Sequence, residues 1–101
     1  MPTIYKIEEI SEKLRPIFES SPIYKAVLFG SYSKGAATAN SDIDIVIDSR
    51  GEIRGLNFYR VLDEIVEALN ADVDLFEASE IRKNSFIEND LIEQGIVLYE
   101  R

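Results

Sequence analysis

The sequence contains neither cysteine nor histidine among its 101 residues. The lack of cysteine excludes disulfide bonds, thiolate metal sites and a cysteine nucleophile. The lack of histidine excludes a histidine general base and a zinc site of the usual kind. If the chain is an enzyme, its chemistry must therefore rely on carboxylates, hydroxyls, basic side chains or backbone groups.

Long apolar runs and basic stripes are missing as well. No segment approaches the roughly 20 consecutive apolar residues that a membrane helix needs, and the N-terminus lacks a signal-peptide pattern. We therefore expect a cytoplasmic protein without membrane contact. The formal net charge of −8, with no basic stripe, argues against direct binding to duplex nucleic acid. The same charge predicts that any protein partner presents a basic surface.

The segment from residue 42 to residue 48 alternates polar and apolar side chains with a period of two, which is typical of a strand with one buried face. Its isoleucines share the buried face, while Asp42 and Asp44 project side by side from the other, about 7 Å apart. Such carboxylates repel one another unless a cation compensates, and hard oxygen ligands select Mg²⁺ or Mn²⁺. Taken alone, Asp-x-Asp is better explained as an acidic solvated face, and we interpret Asp48 as a solvated strand end.

A mostly apolar run from residue 24 ends at Gly30, and Ser31 follows it. Backbone N–H groups of such a turn, together with the Ser31 hydroxyl, can hold phosphate oxygens. Gly30 lets the backbone approach a ligand closely, and Lys34 would add a positive charge one turn later. Taken alone, Ser31 is equally well explained as a helix N-cap. The aspartates that follow the turn favour phosphate binding.

The spacing of the apolar residues predicts one α/β domain over residues 1–101, with a small mixed sheet and helices packed against it. The predicted strands cover residues 24–30, 43–48, 73–76 and 96–99. The predicted helices cover residues 5–20 (kinked or interrupted at Pro16), a short turn at 31–35, residues 56–69 with Asn70 near the C-cap, and residues 85–94 with Gly95 at the C′ position. Helices and strands therefore alternate along the chain. The loop at residues 36–41 is expected over the sheet face that carries Asp42 and Asp44.

Three segments of the chain resemble the minimal nucleotidyltransferase (MNT) branch of the DNA polymerase β-type nucleotidyltransferase superfamily: Leu28-Phe29-Gly30-Ser31, Ser33-Lys34-Gly35 and Ser41-Asp42-Ile43-Asp44. The resemblance implies the fold of that superfamily and a third carboxylate in a later short strand. That role falls on Asp74, and Asp72, one pleat earlier on the same face, competes for it. Lys34 stands where the family usually has arginine, so it offers a charge without a planar fork.

The resemblance also implies the reaction. ATP would be the substrate, two Mg²⁺ ions the cofactors, and a tyrosine hydroxyl of a HEPN-domain toxin the acceptor of AMP, so that the chain acts as an antitoxin. The implied catalytic and metal-binding residues are Asp42, Asp44 and Asp74, and the implied nucleotide-binding residues are Gly30, Ser31 and Lys34. Larger members carry an extra helical domain that this sequence lacks, so we expect a partner or a second copy of the chain to complete the cleft.

Three other functions are compatible with the same residues. The chain could be an antitoxin that neutralises its partner by binding alone, a nucleotidyltransferase that modifies a small molecule, or a nucleotide-binding regulatory module without chemistry. Fold alone does not separate them. Tyr32, beside Ser31, could touch the nucleotide, although packing is the simpler explanation for all the tyrosines.

Overall fold

The apolar runs of the sequence form four strands and its segments of helical period form three α-helices, within residues 4–101 that the computed structural model describes. In chain order the elements are α1 (Ile7–Ser20), β1 (Lys25–Phe29), β2 (Ile43–Asp48), α2 (Leu56–Leu69), β3 (Val73–Glu77), a short 3₁₀ helix (Ala78–Glu80), α3 (Phe86–Gln94) and β4 (Ile96–Glu100). The sheet order is β3-β2-β1-β4, with β1 antiparallel to both neighbours and β2 parallel to β3. The predicted small mixed sheet is confirmed.

One face of the sheet forms the hydrophobic core with α1 and α2. The three isoleucines of β2 are 0% exposed, and they cluster with fully buried side chains of both helices. These buried helical residues are Ile10, Leu14 and Phe18 on α1 and Ile65 and Leu69 on α2. The alternation of β2 thus predicted its buried face correctly. Within residues 4–101, no helix combines the length and apolarity needed to cross a bilayer.

The predicted short helical turn at residues 31–35 is present as a turn, but it does not form a helix that counts as an element of the fold. Those residues form consecutive turns, in which Gly30 O accepts one helical hydrogen bond from Lys34 N at 3.3 Å and Ser31 O accepts from Ala36 N at 2.9 Å. Gly30 itself is left-handed (φ +74°), and no regular helix follows it. The order is therefore αββαβαβ, and Ser31 caps no helix.

The predicted helix ends are otherwise close to the observed ones. Helix α1 runs uninterrupted through Pro16, and the C-cap Asn70 of α2 is left-handed. The Ser85 side chain caps α3 by accepting from Glu88 N at 3.1 Å. Gly95 ends α3 in extended rather than left-handed geometry (φ −64°). It is required for space instead, because a Cβ there would lie 2.4 Å from the carbonyl oxygen of Leu91.

A buried carboxylate joins the ends of β2 and β3. Glu77, 4% exposed, accepts hydrogen bonds from Ser49 N at 2.8 Å, Ser49 Oγ at 2.6 Å and Ser79 N at 2.7 Å. Burial acts to raise the pKa of Glu77, but these hydrogen bonds outweigh it and hold the pKa below its usual range. The contact fixes the two strands that carry the aspartates.

Candidate active site

The strand register brings the predicted aspartates together. Asp44 lies in the central part of the sheet, where it pairs with Phe29 of β1 on one side and with Asp74 of β3 on the other. Because side chains of paired residues point to the same face of a sheet, the Asp44 and Asp74 carboxylates are neighbours. Asp42 immediately precedes β2, close enough for its charge to act on Asp44.

The carboxylates interact unfavourably when all are ionised. Burial raises the pKa of Asp44 to about 6, and a hydrogen bond with Asp74 acts in the same direction. The negative charges of Asp74, Asp42 and Asp90 add to the shift. Asp44 therefore keeps its proton to higher pH than an ordinary aspartate, because it lies among like charges in a partly buried position.

The turn after β1 passes directly over Asp44. A Cβ on Gly30 would lie 2.1 Å from Asp44 Oδ2, so any other residue would force the carboxylate aside. The positive φ of +74° is a second reason for glycine at this position. Ser33 Oγ closes the turn by donating to Gly30 O at 3.0 Å. The backbone of the predicted phosphate-binding turn is thus held against the predicted metal-binding carboxylate.

A fourth carboxylate, on α3, contacts the same turn and was missed by the sequence reasoning. Asp90 Oδ2 accepts a hydrogen bond from Gly30 N at 3.1 Å, and Asp90 Oδ1 lies 2.8 Å from the Lys34 ammonium. The hydrogen bond from Lys34 is the main reason why the pKa of Asp90 is lowered. Lys34, predicted to bind the nucleotide, is therefore paired with Asp90 in this structure. Sixty positions separate Asp90 from Gly30, and no local pattern in the sequence connects them.

A cavity of about 530 Å³ opens beside Asp42. Asp72 and Val66 line it together with Tyr32, and loop residues 39–41 form another part of its wall. Tyr32 is only 6% exposed and belongs to the core cluster, so its ring packs mainly against the protein. The predicted loop thus lies beside the acidic cluster, and the cavity leaves room for a substrate group next to Asp42.

The two candidates for the third carboxylate differ in their neighbours. Asp74 is the register partner of Asp44 and acts on its pKa, whereas Asp72 precedes β3 and lines the cavity. This geometry favours Asp74, in agreement with the residue pattern. Asp48, at the end of β2, accepts a hydrogen bond from Arg50 N at 3.0 Å and serves a turn.

The donor set suits a hard divalent cation. Within residues 4–101, no group of three acidic side chains is arranged so that it already encloses a metal ion. The carboxylate oxygens of Asp42, Asp44 and Asp74 are nevertheless the ligands that Mg²⁺ prefers, and the raised pKa of Asp44 marks a charge conflict that a cation would relieve. The chemistry of these oxygen donors is therefore compatible with Mg²⁺.

Comparison with known proteins extends these observations. The family described as "Polymerase beta, Nucleotidyltransferase" matches residues 12–101. The chain is 32% identical over 97 residues to "Putative protein adenylyltransferase MJ0128" of Methanocaldococcus jannaschii, covering 95% of this chain and 98% of that protein.

Solved structures agree with the family match. A crystal structure of a toxin–antitoxin with AMP-PNP has a TM-score of 0.77 at 25% identity, over 90% of this chain and 73% of that chain. A structure of tri-AMPylated Shewanella oneidensis HEPN toxin in complex with MNT antitoxin has a TM-score of 0.72 at 21% identity, over 94% and 73% of the two chains, and shares the fold. The family match, the full-length relative and the shared fold confirm the resemblance, and the chain belongs to the polymerase β-type nucleotidyltransferase family.

Proposed function

We propose that this chain is a protein adenylyltransferase that acts as an antitoxin, transferring AMP from ATP to a tyrosine hydroxyl of a HEPN-domain toxin. Residues 1–101 would form one minimal nucleotidyltransferase domain. The observation that carries the proposal is the Asp44–Asp74 pair directly beside Gly30, since it joins a phosphate-holding turn to carboxylates that a cation can bridge. The relative named "Putative protein adenylyltransferase MJ0128" supports the reaction, and the likeness to a toxin–antitoxin structure with AMP-PNP supports the partner and the nucleotide.

The turn would hold the triphosphate. Backbone N–H groups from Gly30 onward and the Ser31 hydroxyl supply hydrogen-bond donors, and Lys34 supplies the positive charge. The chain carries a net charge of −8, so this local donor set must overcome a general repulsion between the protein and ATP. Binding is therefore expected to depend on the neutralisation of the acidic cluster.

Asp42, Asp44 and Asp74 would hold two Mg²⁺ ions, which supply charge neutralisation for the phosphates and lower the pKa of the acceptor hydroxyl. Asp74 is exposed at the outer side of the cluster, where its carboxylate can take the proton of that hydroxyl. The hydroxyl oxygen forms a bond to the α-phosphorus while the bond to the bridging oxygen breaks. AMP remains on the acceptor and pyrophosphate leaves.

Transfer of a radiolabel tests the proposal. The purified chain is incubated with Mg²⁺, α-labelled ATP and a lysate of its own source. We expect label on one protein other than this chain, and mass spectrometry of the labelled peptide should place AMP on a tyrosine. A parallel reaction with γ-labelled ATP should leave that protein unlabelled, because the γ-phosphate departs with pyrophosphate.

Two variants provide the controls. Asp42→Asn/Asp44→Asn should abolish labelling, whereas Asp48→Asn, a single replacement of the same kind further along the same strand face, should keep it. Persistence of full labelling in the double variant would contradict the proposed site. If no protein is labelled while the chain still captures a toxin and neutralises it, the binding-only antitoxin is the correct alternative.

A further inference from the structure

Both oxygens of the Asp90 carboxylate contact the turn that is proposed to hold the triphosphate. Oδ2 accepts from the N–H of Gly30 at 3.1 Å, and Oδ1 lies 2.8 Å from the Lys34 ammonium. A backbone amide at a glycine turn and a lysine ammonium are the kinds of donor that hold phosphate oxygens in proteins. A carboxylate from α3, which is distant in sequence, therefore occupies two donors that are expected to bind phosphate.

We propose that Asp90 takes the place of a phosphate group in the nucleotide-free protein, so that it limits the affinity for ATP until its carboxylate is displaced. The inference rests on the proposed nucleotide site at Gly30, Ser31 and Lys34. It adds to that site a residue of α3 that opposes nucleotide binding. Asp90 would thus set the affinity of the enzyme for its nucleotide without touching the reacting atoms.

Charge is the reason why Asp90 competes with the triphosphate instead of assisting it. The Asp90 side chain is only 13% exposed, so water screens its negative charge weakly. Its hydrogen bond with Lys34 lowers its pKa, which keeps the group ionised at neutral pH. An anionic phosphate cannot use the same ammonium and amide without meeting this carboxylate, because like charges at contact distance repel.

The helix that carries Asp90 is loosely attached, which makes displacement feasible. Among its residues none is buried, and Phe86 and Ile92 are 88% and 76% exposed. Elements with few buried apolar contacts move at low free-energy cost. Rotation of the Asp90 side chain or a small shift of α3 would free both donors while α1, α2 and the core face of the sheet stay packed.

The binding of a nucleotide that cannot be cleaved at the α-phosphate tests the inference. Isothermal titration with the Mg²⁺ complex of α,β-methylene-ATP compares the wild type with Asp90→Asn and Glu93→Gln. Glu93 is exposed on the same helix, so its variant makes the same change in net charge. We expect a Kd roughly three- to tenfold lower for Asp90→Asn, and no comparable gain for Glu93→Gln. An unchanged or higher Kd for Asp90→Asn would overturn the inference.

The effect of Asp90→Asn in a Lys34→Met variant tests whether the increase in nucleotide affinity depends on the contact between Asp90 and Lys34. In Lys34→Met the shared cation is gone, so adding Asp90→Asn should improve binding less than it does in the wild type. An equal gain in both backgrounds would reveal a general charge effect and overturn the inference. Asp90→Ser repeats the test, and circular dichroism establishes that each variant is folded. Absence of binding by every protein would contradict the nucleotide site itself, whereas wild-type binding that Asp90→Asn fails to improve contradicts only the role of Asp90.

Discussion

The two faces of the sheet differ in what covers them. On the face towards α1 and α2, the isoleucines of β2 are 0% exposed and surrounded by apolar side chains. On the opposite face, Asp44 and Asp74 lie side by side, and the nearby α3 contributes no buried residue. Because neighbouring residues of a strand point to opposite faces, one short segment supplies both the core and the acidic cluster. Alternate residues of one strand thus face the hydrophobic core and the proposed active site.

The largest expected effect on stability lies on the core face. Ile45→Ala removes a fully buried side chain and should lower the free energy of unfolding by about 2–5 kcal/mol, since the lost burial and the cavity both contribute. Denaturation with urea measures this. Val97→Ala, at a position that is 49% exposed, is the control and should change little. A loss below about 1 kcal/mol for Ile45→Ala would show that this face is not the main source of stability.

The second largest effect on stability is expected at Glu77, whose buried carboxylate links the ends of β2 and β3. Glu77→Gln should cost about 1–3 kcal/mol, because it replaces a carboxylate that accepts three hydrogen bonds. The pKa of Glu77 is lowered in the folded protein, so its stabilisation is present above the ordinary value of 4.5 and is lost as pH falls through the lowered value. The difference between variant and wild type should therefore shrink in acid. Glu80→Gln, an exposed neighbour, should show neither effect.

The third effect on stability is expected when a divalent cation binds to the sheet face that carries Asp44 and Asp74. Mg²⁺ or Mn²⁺ at ten times its Kd should stabilise the folded wild type by about 1.4 kcal/mol, which raises the Tm. Asp44→Asn should lose most of this response, while Asp48→Asn should keep it. An equal rise of Tm in all three proteins would place cation binding elsewhere on the acidic surface.

The substitution Gly30→Ala should have a small effect on stability and a large effect on AMP transfer. Gly30→Ala places a Cβ in left-handed backbone and should cost about 1 kcal/mol. It should also abolish AMP transfer, because the Cβ would lie 2.1 Å from Asp44 Oδ2. Gly51→Ala is a matched control: its φ is +77° and no heavy atom lies within 4 Å of the new Cβ. Both variants share the backbone strain, and Gly30→Ala adds the contact with Asp44, so we expect it to be the more destabilised of the two and the only one that loses AMP transfer.

Most of the fold could be predicted because it follows local periodicity. The alternation of residues 43–48 predicted the buried face of β2, and the predicted helix at residues 85–94 lies within one residue of α3 at its start. The turn after Gly30 could not be assigned in this way, since its glycine geometry and hydrogen bonds depend on the approach of Asp44. Gly95 was expected at the end of α3, but the lack of space for a Cβ beside Leu91 could not be read from the sequence.

The site was only partly predictable for a related reason. Asp42, Asp44 and the Gly30 turn belong to one short stretch of sequence, so a local motif could identify them. The pairing of Asp44 with Asp74 depends on the register of two parallel strands, and the contact of Asp90 with Lys34 depends on how α3 docks. Such tertiary contacts leave no periodic trace in the sequence, which is why Lys34 was expected to bind the nucleotide without a competing carboxylate.

A single protein, Asp44→Asn, tests the separation of stability and chemistry most directly when unfolding and AMP transfer are measured on the same sample. Burial among like charges raises the pKa of Asp44 to about 6, so ionisation of this group penalises the folded wild type increasingly between pH 3.8 and about 6 and fully above that range. A pKa shift of this size corresponds to at most about 3 kcal/mol, and partial exposure of Asp44 to solvent reduces that figure. Without metal, the variant should therefore be more stable than the wild type by about 1 kcal/mol at pH 7.5, and by much less at pH 4.

The same variant should transfer no AMP to the proposed acceptor protein. A more stable protein without transfer activity is the result we expect, because Asp44 would serve the reaction at the expense of folding. A variant that loses several kcal/mol of stability, or that still labels its partner at the wild-type rate, would contradict the assignment of the carboxylate face to nucleotidyl transfer.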